Sequence, residues 1–308
     1  MKTHLKKLQS YFTKPLLPAF LLHLSTERLC GLRIKGRDHK ALKYFIQPLK
    51  PGLIEPSAEK NNVRQPEELL AIINQGMRQL GGQGGAVSLL LPDPCFRLFV
   101  FPAATLPPSP QEQQALLRWR IKKLYPLLPD DWRFDYQAFR LNSSLRILVS
   151  GTRRMVVEEY EKLLARANWR VRVVSPPTLY LLTLVPEADF LVVNVESDYL
   201  ALTAVADRCP LFYRLKAFRM ENQREENFVS LCLGEIENTL HFLEDKEKRQ
   251  FKEIFIRWGV SSFSAGSLIK ALEQLQLRVS RYHAVPFPDI EEREILAPLL
   301  GQIKSCQG

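Results

Sequence analysis

The sequence predicts an α/β protein of two lobes, each built on a mixed sheet. Three observations predict it. Strand–strand–helix units occur in both halves of the chain. The length of 308 residues suits two units of about 150 each. Between the halves stands a double proline, Pro176–Pro177, with Pro186 beyond it, and this is the best place for a boundary.

The first half opens with two apolar runs, "FLLHL" (20–24) and "LCGLRIK" (29–35), joined by a turn at Ser25–Arg28. Another strand follows near 43–46, then a loop over 48–62. Pro66 starts a helix, with Glu67 and Glu68 well placed for its dipole. Leu69, Ile72, Ile73, Met77 and Leu80 form its apolar stripe, and Gly81 ends it. "GGQGG" (81–85) follows a helix and precedes a strand without GK[ST], the wrong order for a phosphate loop. "AVSLLLP" (86–92) and "FRLFVFP" (96–102) read as buried strands.

"SPQEQQALLRWRIKKLY" (109–125) predicts a helix opened by a capping box, Ser109 to Glu112, with Pro110 at its first position. Leu117, Ile121 and Leu124 are its inward stripe, surrounded by Arg118, Arg120, Lys122 and Lys123. "WRFDYQAF" and "LRILVSG" read as a strand pair, followed by a helix at about 153–167 and the strand "VRVVS". The second half opens with "ADFLVVNVESDYLALTAVADRCPLFYRL" (188–215): a buried strand, a tight turn at Ser197–Asp198, and a return strand. A long helix at about 224–247, the strand "FKEIFIRWG", a helix carrying Ala265, Leu268 and Leu272, and the strand "LRVSRYH" complete the order.

Composition removes several function classes. Hydrophobic residues at 46% and charged residues at 25% fit an ordinary globular protein, so wholesale disorder is excluded. No apolar run approaches the roughly 20 residues of a membrane span. The ten-residue run "PLLPAFLLHL" carries two prolines, and no small-residue cleavage site follows it cleanly, so a signal peptide is not expected. The five cysteines are scattered, with no CxxC pair and no Cys/His spacing, so neither disulfides nor a structural zinc are expected.

Residues 1–50 hold eleven Lys/Arg against two Asp/Glu, nearly all of the net charge of +10. These cations are not interleaved with stacking aromatics, so nucleic acid is not the expected partner. In "MKTHLKKLQSYFTK", Leu5, Leu8 and Phe12 share one helical face, flanked by Lys6 and Lys7. That pattern suits a short basic amphipathic helix on an anionic membrane surface. A solvated arm is the alternative.

One stretch carries a resemblance. In "LPPSPQEQQALLRWRIKKLYPLLPDDWRFDYQAF" (106–139), Arg118–Trp119, then Tyr125–Pro126, then Asp135–Tyr136–Gln137 stand in the order found in the PilM family, the cytoplasmic actin-like proteins of type IV pilus assembly. The likeness continues through 147–182 and "GEIENTLHFLEDKEK" (234–248), and covers most of the chain from about residue 19. More distantly the chain looks like the cytoplasmic part of type II secretion L proteins and the division protein FtsA. The resemblance implies an actin-like (ribonuclease H-like) fold of two lobes around a nucleotide cleft. The implied layout is a basic segment 1–16, a first lobe 17–187 with a small α+β insert at about 100–172, and a shortened second lobe 188–308 ending in a helix.

The family's three nucleotide turns can be followed in this chain. Where the first has Asp-x-Gly, this sequence has His23 and Ser25, with Glu27 beyond; a neutral imidazole is a poor partner for hydrated Mg²⁺. Where the second has Asp-x-Gly, Asn194 and Glu196 stand, followed by Ser197 and Asp198. Glycine there lets backbone N–H groups reach phosphate; glutamate brings a Cβ and a like charge that costs about 4 kcal/mol at 4 Å in a medium of effective dielectric near 20. The adenosine turn keeps Gly259, with Trp258 beside it and Gly266 beyond. The three changes together imply no ATP cofactor, no bound metal and no catalysis.

The resemblance therefore implies a non-catalytic scaffold, cytoplasmic and peripheral to the inner membrane. Its partner would be the cytoplasmic N-terminal tail of a single-span, PilN-like membrane protein, held in a groove between the first lobe and the insert. Arg118, Trp119, Lys122 and Lys123 are the candidate residues near that groove. Their basic charge departs from the family's acidic helix, and points to a more acidic tail or a membrane-facing role. Two other readings stay open: an ATP-binding switch using Glu27, Glu196 or Asp198 as the acidic Mg²⁺ ligand, and a platform component of type II secretion or an adhesin pilus system.

Overall fold

The computed structural model describes residues 17–35, 40–141, 144–185, 189–218, 224–282 and 292–307. The basic segment 1–16, with Leu5, Lys6, Lys7, Leu8 and Phe12, lies outside them.

Two five-stranded sheets share one plan. In the first, β1 (Phe20–Leu24) pairs antiparallel with β2 (Arg28–Lys35), which pairs with β3 (Lys40–Pro48) at the edge. On its other side β1 runs parallel to β4 (Gly85–Leu90), and β4 runs parallel to β8 (Trp169–Ser175). In the second sheet β9 (Phe190–Val195) takes the place of β1, β10 (Tyr199–Ala206) and β11 (Cys209–Ala217) follow antiparallel, and β12 (Glu253–Trp258) and β13 (Arg278–Arg281) run parallel. The sequence reading has two strands in this second hairpin. A turn with Asp207 and Arg208 at positive φ adds β11 as a third.

Helices fill the faces that alternation leaves apolar. Leu22 and Leu24 of β1 face α1 (Pro66–Gln79) and α3 (Arg154–Ala165) through Leu69, Ile73, Met77, Val156 and Leu163. The opposite face of that sheet, with Leu21 and Leu32, meets Phe190 and Val192 of the second sheet. Between them pack α4 (Pro177–Leu181) and α7 (Arg293–Gln307), with Leu181, Leu296, Leu299 and Leu300. The two lobes thus share a core. The far face of the second sheet is covered by α5 (Glu225–Glu247) and α6 (Gly266–Gln274).

The insert is a separate sheet of β5 (Arg97–Ala103), β7 (Ser144–Arg153) and β6 (Trp132–Leu141), with α2 (Pro110–Leu124) on one face. Its expected end near 172 is too late. Helix α3 packs into the first lobe's core, and β8 joins β4, with Trp169 opposite Gly85. The insert therefore occupies the crossover between two parallel strands. Leu141 enters the second lobe's core, and Arg146 pairs with Glu247 of α5 at 2.7 Å. The capping box does not form: the Ser109 hydroxyl donates to Gln111 Oε1 at 2.9 Å and caps no backbone N–H.

Candidate functional site

The C-terminal ends of β1, β4, β9 and β12 converge where an open α/β fold places its ligand. Three turns meet there. The β1–β2 turn is closed by Ser25, whose N–H donates to Arg28 O at 2.9 Å and whose hydroxyl accepts from Arg28 N at 3.2 Å. The β9–β10 turn is closed by Glu196 N donating to Tyr199 O at 2.9 Å. The third turn leaves β12 at Gly259, whose N–H donates to Val195 O at 2.7 Å.

The turns bind one another. Thr26 Oγ1 donates to Asp198 Oδ1 at 3.1 Å and lies 3.4 Å from Ser197 Oγ. Glu27 Oε2 accepts from the backbone N and hydroxyl of Ser261 at 3.1 and 2.6 Å. It also pairs with Arg28 at 3.2 Å. The Glu27 carboxylate thus joins the first and third turns, instead of standing unpaired toward a phosphate.

The centre is a residue that the sequence reading passes over. Arg257, buried on β12, forms an ion pair with the buried Glu196. The same guanidinium donates to Asn194 Oδ1 at 3.1 Å. Asn194 Nδ2 in turn donates to Asp93 Oδ2 and to Thr178 Oγ1, both at 3.1 Å. The Thr178 hydroxyl donates to Asp93 Oδ2 at 2.8 Å. Asp93 and Thr178 belong to the first lobe, Asn194 and Arg257 to the second. This explains asparagine at 194: a carboxylate there would face Asp93 with no proton to donate.

Gly259 is retained for a local reason. A Cβ on it would collide with the Glu196 carboxylate and lie 2.6 Å from Arg257 Nη1. The glycine that the resemblance assigns to adenosine is the seat of the protein's own ion pair. Trp258 donates its indole N–H to Phe263 O at 2.8 Å and packs edge-on against Phe228.

Carboxylates outnumber cations in this cluster, and the titrations follow. Burial, then the Glu196 charge, pushes the Asp198 carboxyl up to about 7. Burial pushes Asp93 up to about 6 against the hydrogen bonds that pull it down. Burial, then Arg257 and Arg28, holds His23 well below its ordinary value, so the ring is neutral. Neither ring nitrogen has a partner among the described residues. Among the described residues no group of three or more His, Cys, Asp or Glu is arranged to hold a metal ion.

A concavity of about 460 Å³ lies on the first lobe. Val63, Pro66, Met155 and Leu163 line it, with Glu158, Lys162 and Arg166 around them. All belong to the first lobe, beside the loop on which the insert docks: Glu59 accepts from Tyr125 at 2.6 Å and Arg97 at 3.1 Å, and its carbonyl from Arg153 at 3.0 Å. Arg118, Trp119, Lys122 and Lys123 do not line this groove. Arg118 is turned inward, donating to Trp132 O at 2.9 Å and stacking over Phe134. Trp119, Lys122 and Lys123 are exposed on the outer side of α2. Leu124, expected inward, is exposed as well.

No family model matches the sequence, and no curated protein matches it. Solved structures do. One described as the PilM–PilN type IV pilus biogenesis complex superposes with a TM-score of 0.77 at 15% identity, over 96% of this chain and 100% of that one. A Bacteroides thetaiotaomicron protein of actin-like ATPase fold gives 0.53 at 12% identity, over 91% and 94%. The cytoplasmic domain of EpsL, an inner membrane component of the type II secretion system of Vibrio cholerae, gives 0.51 at 11% identity, over 94% of both chains. The fold is therefore actin-like.

Proposed function

We propose that this chain is a non-catalytic scaffold in an inner-membrane assembly platform of the type IV pilus or type II secretion kind. It works at the cytoplasmic face, takes no nucleotide, and holds the cytoplasmic N-terminal tail of a single-span, PilN-like partner. The observation that carries the reading is the filled cleft. Where an actin-like protein would seat phosphates, Glu196 and Arg257 neutralise each other over Gly259, and Asn194 ties that pair to Asp93 in the other lobe. A triphosphate would have to displace a buried ion pair and approach the Glu27 carboxylate, with the Asp93 and Asp198 carboxyl groups beside it. The likeness to a PilM–PilN complex and to EpsL supports the choice of machine.

The groove beside the insert is the proposed seat of the tail. Its apolar floor and charged rim suit an extended peptide with one apolar anchor and an acidic residue near Lys162 and Arg166. The basic segment 1–16 is proposed to rest on anionic headgroups. The test is titration of a fluorescent peptide, copied from the N-terminal tail of the adjacent single-span membrane protein, into the full chain. Lys162→Glu with Arg166→Glu is expected to weaken binding about tenfold or more while leaving the melting curve in place. Absence of binding by the unaltered chain, or equal binding by the variant, overturns the assignment.

A further inference from the structure

Five large apolar side chains are exposed among the described residues, and three of them fall within one short stretch. Trp119 is 55% exposed, Leu124 63% and Leu127 83%, at the C-terminal half of α2 and the turn after it. Trp119 stands opposite the stripe of Leu117 and Ile121 that anchors α2 to its sheet. Lys123 Nζ lies 3.9 Å from the Trp119 ring centroid, and the exposed Lys122 reaches the exposed Asp130 at 3.9 Å.

Charge points the same way. Residues 97–153 carry nine Lys/Arg and four Asp/Glu. Arg97, Arg146 and Arg153 are held in ion pairs, and Arg118 and Arg120 donate to backbone carbonyls. Of the remaining four, Arg133 and Arg140 are exposed on β6, and Lys122 and Lys123 are exposed beside the apolar residues of α2.

We infer that this stretch is a docking surface for an anionic lipid bilayer. Leu124, Leu127 and the indole of Trp119 enter the headgroup boundary, and Lys122 and Lys123 meet lipid phosphates. Exposed tryptophan, leucine and lysine within one short stretch are the combination that favours the interface. A peptide site needs concavity, and the groove on the first lobe shares none of these residues. The inference is independent of tail capture.

Trp119 supplies the readout. Of the four tryptophans, Trp132, Trp169 and Trp258 are buried. Full-length protein is mixed with phosphatidylcholine vesicles, with or without phosphatidylglycerol. The expected result is a blue-shifted emission, quenched by brominated lipid, with anionic vesicles only, and lost in Trp119→Phe. Lys122→Glu with Lys123→Glu is expected to lower partitioning about tenfold or more. Leu124→Ser with Leu127→Ser reduces it as well, and Lys6→Glu with Lys7→Glu separates any share of the N-terminal segment by leaving the Trp119 shift in place. Absence of vesicle binding, binding with unshifted Trp119 emission, or undiminished binding by the α2 lysine variant overturns the inference. Preference of this stretch for an acidic peptide over vesicles does so too.

Discussion

The central cleft and the groove beside the insert both bring carboxylates and cations together, yet they are in opposite states. In the cleft the buried Glu196 is paired with the buried Arg257, and the half-buried Glu27 and Asp198 are held by Ser261 and Arg28 and by Thr26. The groove keeps its volume, with Lys162 and Arg166 exposed at its rim. A buried ion pair resists displacement, because either charge left alone would be stranded in a dry interior. Surface charges pair loosely and exchange partners at little cost. That difference is the basis for proposing that the cleft holds the lobes together and that the groove serves recognition.

The largest expected effect comes from breaking the cleft's centre. Arg257→Met strands Glu196 and removes a donor from Asn194, and is expected to cost about 3–5 kcal/mol in urea unfolding. Adding Glu196→Gln should recover much of that loss, because no uncompensated buried charge remains. A cost below about 1 kcal/mol would mean that the pair is not what fills the cleft.

Next comes Gly259→Ala. Its Cβ would press on both members of the pair, with an expected cost of about 1–3 kcal/mol in thermal unfolding. The groove supplies the contrast: Lys162→Glu with Arg166→Glu should move stability by no more than about 0.5 kcal/mol while weakening tail binding. Comparable destabilisation at both places would erase the distinction.

The smallest effect is a pH dependence. Folded Asp198 titrates at about 7, above the ordinary carboxyl value of 3.8, so between these values the folded protein holds a proton that the unfolded chain has released. Stability falls as pH rises through that window. Asp198→Asn keeps an acceptor for Thr26 and should flatten the fall, leaving the variant relatively more stable at pH 8. His23 works in the other direction: the folded ring stays neutral while the unfolded chain protonates below 6.5, so stability falls as pH drops below that value. His23→Leu should flatten this acid limb.

The order of strands and helices was legible because each element carries its own period and its own stop signal. Pro66 and Gly81 bound α1, and the alternation in "FLLHL" sorts Leu22 from Leu21. The extent of the insert was not legible, because spacing does not say which sheet a strand joins; β8 returns to β4 from 84 positions away, Trp169 against Gly85. The cleft was half legible. His23, Asn194 and Glu196 stood out, but the answer to Glu196 lies 61 residues on, in Arg257. The available signal was one arginine inside the apolar run "EIFIRW", which needs a buried counter-charge. The sequence reading placed Leu124 inward by periodicity, but α2 ends there and the side chain falls beyond its supporting sheet.

The most direct test is calorimetric titration of the full chain with Mg-ATP. A filled cleft predicts no binding heat, meaning a Kd weaker than about 1 mM. Binding tighter than about 100 μM, abolished by Gly259→Ala, would show that the cleft opens to nucleotide and would contradict the account.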